Sequence, residues 1–171
     1  MNGTSTTTVN SILFNSVEYY LSSSITSHIR LQLDLLLINN GATRCPSRSS
    51  PRLTHYITNS LDFESITATT AELVLPAWVT RSYDLQTLQS PRFYSPDPAL
   101  FFSGLVFATS ELPPTDSHQI QLGVTTWGGQ FRRELTREVT HLFVIAERGN
   151  KYQAALKFGQ ELGMQIVLPH W

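Results

Sequence analysis

The chain has 171 residues, of which 41% are hydrophobic and 15% are charged, and its formal net charge is −1. This composition is that of a globular protein, and the length suits one large domain or two small ones. Residues 1–98 carry six basic and seven acidic side chains, and residues 99–171 carry six of each, so neither half has the basic excess of a protein that holds a nucleic-acid backbone by itself.

The first half of the chain predicts strands that alternate with helices. A strand is expected over residues 11–21 and a helix over 25–39, where one face collects five apolar side chains: Ile25, Ile29, Leu33, Leu36 and Leu37. Gly41 ends this helix, as a glycine at a helix C-terminus commonly does. Three short strands follow, and a helix then begins at Pro76 and continues to about Leu88. These strands are predicted at residues 42–46, 53–58 and 73–75.

The second half predicts the same kinds of element in the same order. After a strand within residues 99–110, Asp116 begins a helix whose apolar face includes Ile120, Val124 and Trp127 and which ends at the glycine pair 128–129. A strand is expected at 141–146 and a last strand at 165–168. Between them Asn150 caps a helix that ends at Gly163 and places on one side Tyr152, Ala155, Leu156, Gly159 and Leu162.

Four sequence signals occur twice in the same order, which indicates an internal duplication. The paired segments are SILFNSVEYYLS and ALFFSGLVFATS, INNGAT and TWGGQF, PRLTHYIT and REVTHLFV, and VLPAW and VLPHW. Phe14 and Gly41 are separated by 27 residues, as are Phe102 and Gly129. We therefore expect two copies of one unit, residues 11–88 and 99–171, joined by the Pro- and Ser-rich linker 89–98.

The order of the predicted elements, β-α-β-β-α-β-α, indicates the α/β class. We expect each copy to form a small, mostly parallel, four-stranded sheet flanked by helices. Cys45 is the only cysteine in the sequence, so no disulfide can form within the chain and no cysteine cluster can hold a metal. The polar start MNGTSTTTVN lacks the features of a secretory signal, and no apolar run reaches the length of a membrane span. These features predict a soluble, intracellular protein without a metal or an organic cofactor.

Several of these segments together resemble the BRCT family, the phosphoprotein-interaction repeat of DNA-damage-response proteins. They are the FSG turn at 102–104, the GG turn at 128–129, the Thr-His pair before a core strand, the KYQAAL helix start at 151–156 and the IVLPHW ending. The tandem is most similar to the N-terminal BRCT pair of fungal multi-BRCT scaffolds. Because the tryptophan of a BRCT repeat lies at the start of its final helix, the resemblance implies that the second copy is truncated within that helix.

The resemblance also implies a phosphate-binding site. Phosphate-binding BRCT repeats use a hydroxyl, a glycine N–H and a lysine at a helix start, and these roles fall on Ser103, Gly104 and Lys151. The alternative interpretation is an ordinary turn and a solvated lysine.

Two features of the chain depart from the family pattern. Lys151 lies twelve residues before Gly163, where the family pattern has about eight, and the family's pocket usually belongs to the first copy. That copy has Asn15 and Ser16 at the matching positions and no Lys or Arg in residues 59–71.

The remaining candidate residues are interpreted as structural. His55 and His141 occupy equivalent positions after Thr, which favours a role in packing and backbone hydrogen bonding over catalysis or metal binding. Trp78, Trp127 and Trp171 are predicted to be core residues. No cluster of acid, base and nucleophile suggests a catalytic site.

The sequence therefore predicts a non-enzymatic scaffold of the nuclear DNA-damage response that binds protein partners, among them phosphoserine or phosphothreonine peptides of DNA-repair factors. Binding through a phosphate-independent surface between the repeats is slightly favoured, because the first copy lacks the pocket. Three alternatives remain: a module for DNA ends or 5′-phosphates, a structural repeat pair without its own ligand, and a small α/β enzyme. Near-zero charge in both halves disfavours the first, and neither a small-molecule substrate nor a membrane is expected.

Overall fold

A computed structural model describes residues 13–61 and 70–168 and divides the chain into two compact units, Met1–Gln89 and Ser90–Trp171. The first unit contains strands β1 (Glu18–Leu21), β2 (Thr43–Arg44), β3 (His55–Ile57) and β4 (Glu72–Val74), with helices α1 (Ser27–Asn39) and α2 (Pro76–Asp84). The second contains a 3-10 turn (Pro91–Phe93), strands β5 (Val106–Ser110), β6 (Gln130–Phe131), β7 (His141–Val144) and β8 (Gln165–Val167), and helices α3 (Pro114–Thr126) and α4 (Asn150–Leu162). In the described part of the chain, none of the helices combines the length and the hydrophobicity that a membrane span needs.

Each unit is built around a four-stranded parallel sheet, and the two sheets have the same strand order. The orders are β2-β1-β3-β4 and β6-β5-β7-β8, which confirms the predicted α/β class and the duplication. The register makes the repeats comparable residue by residue, because Tyr19 pairs with His55 as Phe107 pairs with His141. Counting two residues onward along each strand, Leu21 of the first unit corresponds to Thr109 of the second.

The Thr-His pair performs the same task in both units. The Thr140 hydroxyl accepts the N–H of Val106 and donates to the carbonyl of the same residue, both at 2.9 Å. Thr54 makes the same two bonds to Glu18, at 2.8 and 2.9 Å. Because the single hydroxyl proton goes to the carbonyl, the neighbouring His55 Nδ1, 2.8 Å from Thr54 Oγ1, must be the donor in that contact. Both threonines thus fix the start of the central strand against its neighbour.

The tryptophan of the first unit is a core residue, as predicted. Trp78 is fully buried, and its Nε1–H donates to the Gln89 carbonyl at 2.7 Å. The His55 ring stacks on it with 4.5 Å between ring centroids, and Phe14 packs at 5.7 Å. Burial lowers the pKa of His55 to about 4 and also lowers that of His141. Both imidazoles are therefore neutral groups that serve packing and hydrogen bonding. The other tryptophan predicted to end a repeat, Trp171, lies outside the described residues.

Trp127 is not a core residue, contrary to the prediction. Its side chain is 44% exposed and contacts Phe101, 4.8 Å between ring centroids. The helix ends one residue earlier, so Trp127 occupies the C-cap and leaves the buried face on which Val124 lies. Gly129, and not Trp127, packs closely against the helix. It has no room for a side chain, because a Cβ there would lie 2.8 Å from Val124 Cγ1.

Several predicted boundaries also differ from the observed ones. Within the described residues the first strand begins at Glu18, because the Val17 N–H donates to the Phe14 carbonyl and closes a turn. Helix α2 ends at Asp84 rather than near Leu88, and Ile29 of α1 is 41% exposed although it was predicted to lie on the buried face.

At the start of α4, Gly149, with φ 91°, is the N-cap in place of Asn150. The segment predicted as the linker belongs to the second unit from Ser90 onward, where the Phe93 carbonyl accepts the Gly104 N–H.

Replacing Trp78 by alanine should lower the free energy of unfolding by about 3–5 kcal/mol, because a large side chain without exposure is lost together with two ring contacts. Trp78→Phe should be milder, since it keeps an aromatic surface for His55 and loses the bond to Gln89. Urea denaturation followed by circular dichroism gives both values. Equal losses for the two variants would contradict the packing of His55 and Phe14 on the Trp78 ring.

The buried His55 should make stability depend on pH between about 4 and 6.5. Its folded-state pKa is lowered to about 4, whereas an unfolded histidine titrates near 6.5. In that window the unfolded chain binds more protons, so stability is lost as the pH falls from 6.5 towards 4. Allowing for partial exposure, the loss is on the order of 1–2 kcal/mol. The difference between unfolding free energies at pH 7.5 and 4.5 should shrink in His55→Phe, and an unchanged difference would contradict this assignment.

Candidate functional site

Ser103 and Gly104 lie in a tight turn that precedes strand β5. The Gly104 N–H donates to the Phe93 carbonyl at 2.6 Å, and the Ser103 hydroxyl donates to the same oxygen at 3.2 Å. Gly104 has φ 83°, a conformation that side chains rarely adopt. The donors that were predicted to hold a phosphate are therefore engaged by the chain itself, and the glycine serves the turn.

Lys151 lies elsewhere, in the first turn of helix α4. Its ammonium donates to the carbonyl of Thr109 at 3.1 Å and to the carbonyl of Arg133. Thr109 is near the carboxyl end of β5, whereas Ser103 precedes the amino end of the same strand. Three residues of strand, Val106 to Thr109, span about 10 Å. The structure therefore does not bring Lys151 together with Ser103 and Gly104.

A cavity of about 360 Å³ opens at the carboxyl edge of the second sheet, where Lys151 does lie. We call it the carboxyl-edge cavity. It lies between the first turns of α3, strand β5 and the start of α4, and its lining residues are Thr109, Pro114, Ser117, His118, Gln121, Phe131, Arg133 and Lys151. Parallel strands end at one edge of a sheet and the following helices begin there, so ligands of open α/β sheets commonly bind at this edge.

Hydroxyl groups are concentrated at the same edge. Thr109 Oγ1 and Ser117 Oγ are 2.9 Å apart and share a hydrogen bond. The next residue of the strand, Ser110, is 2% exposed, and its hydroxyl oxygen has no hydrogen-bond partner within the described residues. The sequence contains a signal for this site, since the pair Thr109-Ser110 ends strand β5. The prediction instead used the FSG turn at 102–104, which lies before the amino end of the same strand.

The charged side chains that line the cavity are cations, whereas Asp116 lies in the first turn of α3 and the Glu111 carboxylate lies close to Gly149, the N-cap of α4. Lys151 and Arg133 line it, and no Asp or Glu is among its lining residues. Helices α3 and α4, each of 13 residues, begin beside it, and the amino end of a helix carries a partial positive charge. An ammonium has three N–H donors, of which Lys151 gives two to carbonyls. The third N–H can donate to a ligand, and the acceptors that would suit Lys151 and Arg133 are those of an anion.

Comparison with known proteins finds a family model that matches part of the second unit. Residues 105–171 match the family model described as PTCB-BRCT: twin BRCT domain. This segment of 67 residues, within a chain of 171, is similar to the twin BRCT family. The matched segment contains all the residues that line the carboxyl-edge cavity.

Curated relatives and a solved structure share this similarity. PAX-interacting protein 1 of Mus musculus is 32% identical over 99 residues, 58% of this chain and 9% of that protein. BRCT-containing protein 1 of Schizosaccharomyces pombe is 30% identical over 94 residues, 55% of this chain and 11% of that protein. The chain thus spans about a tenth of the length of these relatives. The crystal structure of Rad4 BRCT1,2 in complex with a Crb2 phosphopeptide is 21% identical, with a TM-score of 0.43, and covers 94% of this chain and 90% of that one.

The first unit differs from the second at the equivalent edge of its sheet. Its counterpart of Thr109 is Leu21, which is buried and has no hydroxyl. Residues 59–71 contain no Lys or Arg that could correspond to Lys151; residues 62–69 of this segment lie outside the described part. The Ser24 and Thr58 hydroxyls, 3.0 Å apart, instead bond to each other. The described features that suit an anion are therefore in the second repeat.

Metal binding has no candidate in the described structure. Within residues 13–61 and 70–168, no three His, Cys, Asp or Glu side chains are grouped as a metal site would require. Cys45 is buried, 4.0 Å from a carboxylate oxygen of Glu18, and packs with Leu53 and Tyr56.

Proposed function

We propose that this chain is a non-enzymatic protein-interaction module of the nuclear DNA-damage response, whose second BRCT repeat binds a phosphorylated peptide in the carboxyl-edge cavity. The observation that supports this proposal most is the position of Lys151. Its ammonium is fixed by two carbonyls beside the Thr109 and Ser117 hydroxyls, at the start of α4. A phosphorylated side chain would meet an ammonium, hydroxyl groups and a helix amino end in one place.

The chemistry of a phosphate matches these groups. A phosphoserine or phosphothreonine carries nearly two negative charges and three acceptor oxygens at neutral pH. Lys151 and Arg133 supply positive charge. The Thr109 and Ser117 hydroxyls, which bond to each other without a ligand, can instead donate to a phosphate oxygen. Each hydrogen bond to a charged group contributes roughly 1.5–3 kcal/mol. A few such bonds account for phosphate-dependent binding without a deep apolar pocket.

The relatives support an interaction role in general terms. The mouse relative is named for its interaction with PAX, and the fission-yeast relative is named for its BRCT content. These names support only the general role of a protein-binding module. The partner, nuclear localisation and the peptide sequence belong to the proposal, since this chain spans a small part of either relative.

Removing the ammonium or the hydroxyl should weaken binding of a phosphorylated peptide. The probe is a fluorescein-labelled peptide library with a central phosphothreonine, compared with the same library unphosphorylated. Lys151→Met and Thr109→Val should each reduce affinity for the phosphorylated library by about 10- to 100-fold, which corresponds to the loss of one charge-assisted bond. Fluorescence anisotropy of the full chain gives the dissociation constants.

Lys157→Met is the matched control. Lys157 lies on the same helix, is exposed and is outside the cavity, so its loss removes an equal charge and should leave affinity within about twofold. Thermal melting shows whether Lys151→Met still folds after losing its two carbonyl contacts. Equal binding of phosphorylated and unphosphorylated libraries, or an equal loss in the Lys157 variant, would contradict the proposal. Tighter binding of a 5′-phosphorylated oligonucleotide would instead favour a module for DNA ends.

A further inference from the structure

A second cavity, of about 540 Å³, lies on the same repeat beside edge strand β6. We call it the turn-side cavity, because the 3-10 turn Pro91–Phe93 forms one of its walls. Its other walls are the last turns of α3, the glycine pair and strand β6. The lining residues that matter here are Arg92, Gln121, Gly129, Phe131 and Arg132.

The two cavities adjoin each other. Gln121 and Phe131 line both of them, so the carboxyl-edge cavity continues across these two side chains into the turn-side cavity. Strand β6 runs along this path. The N–H groups of Gln130 and Arg132 donate to Leu105 and Phe107 at 2.9 and 2.8 Å, and because alternate residues of a strand face opposite ways, the Phe131 N–H faces the open edge. Such an edge can accept an extended peptide.

Positive charge is concentrated along the same path. Four of the seven Lys and Arg residues in 90–171 line the two cavities, namely Arg92, Arg132, Arg133 and Lys151, and no Asp or Glu is among the lining residues of either cavity.

Two of these side chains are fixed in different ways. The Arg132 guanidinium is held by Glu138 at 2.7 Å and by Gln130 at 2.9 Å. Arg92 is exposed, with its guanidinium carbon 4.3 Å from the ring centroid of Phe93. Arg92 therefore offers its charge to a ligand at the far end of the path.

We infer that the second repeat selects phosphopeptides with acidic side chains on one flank of the phosphoresidue, which lie in the turn-side cavity against Arg92. The inference rests on the proposed function, since it places the phosphate in the carboxyl-edge cavity. Arg133 and Gly129 are four residues apart along the chain, about 13 Å when extended. An extended peptide covers the same distance with about four residues, so the acidic positions are expected roughly three to five residues from the phosphate.

The test uses alanine- and serine-based peptides with one central phosphothreonine. One carries Asp at positions −5 to −3, one carries Asp at +3 to +5, and one has neutral flanks; each is also made unphosphorylated. Fluorescence anisotropy with the full chain should show at least a fivefold tighter dissociation constant for one acidic peptide than for the neutral one. Arg92→Gln should remove this advantage and leave the preference for phosphate intact. Arg137→Gln, which removes an equal charge outside both cavities, should retain the advantage.

The outcomes separate this inference from the proposed function. Phosphate-dependent binding with equal affinities for neutral and acidic flanks would overturn the acidic selectivity and leave the phosphate site standing. An acidic advantage that survives in Arg92→Gln would overturn the assignment to the turn-side cavity. If the unphosphorylated acidic peptide bound as tightly as its phosphorylated form, the proposed function would fail, and the inference would fail with it.

Discussion

The whole arrangement depends on the parallel register of the central strands, which a threonine hydroxyl fixes in each repeat. Thr140 bonds both the N–H and the carbonyl of Val106, and Thr54 bonds both groups of Glu18. With the register fixed, all strands of a sheet end at one edge and the helices that follow begin there. That edge becomes an anion site only where the side chains supply donors. In the second repeat they do, through Thr109 and Lys151; in the first, Leu21 takes the place of the threonine.

Lys151 has two roles that a sequence pattern cannot separate. Its ammonium joins the start of α4 to β5 and to the segment after β6, by bonds to the carbonyls of Thr109 and Arg133. The same bonds hold the charge in position before any ligand arrives, so less side-chain entropy is lost on binding. The even division of charge between the halves of the chain gives no indication that cations cluster locally. Four cations line adjoining cavities of one repeat although the net charge is close to zero.

The sequence predicted the duplication, the order of elements, the burial of Trp78 and the structural use of the Thr-His pair, because repeated spacing and periodicity are local signals. It did not predict which end of β5 faces Lys151. The FSG turn and the Thr109-Ser110 pair both flank that strand, and only the crossover of the parallel sheet decides between them. The exposure of Trp127 was missed for a similar reason. The helix ends one residue earlier than predicted, so Trp127 lies at the cap and not on the buried face. The Phe14 N–H donates to Asn40 and the Phe102 N–H donates to Trp127, so Asn40 corresponds to Trp127. Gly41 therefore corresponds to Gly128 rather than to Gly129.

Both proposals require an anion to bind at the carboxyl edge of the second sheet. An NMR titration of the full, 15N-labelled chain with phenyl phosphate measures this binding by itself, since the probe carries the phosphate and no peptide. Saturable amide shifts are expected at Ser110, Ser117 and Lys151, with little change at Ser103 and Gly104, whose donors already serve the Phe93 carbonyl. Shifts centred on Ser103 and Gly104, or on the first repeat, would show that the anion binds elsewhere and would overturn both proposals.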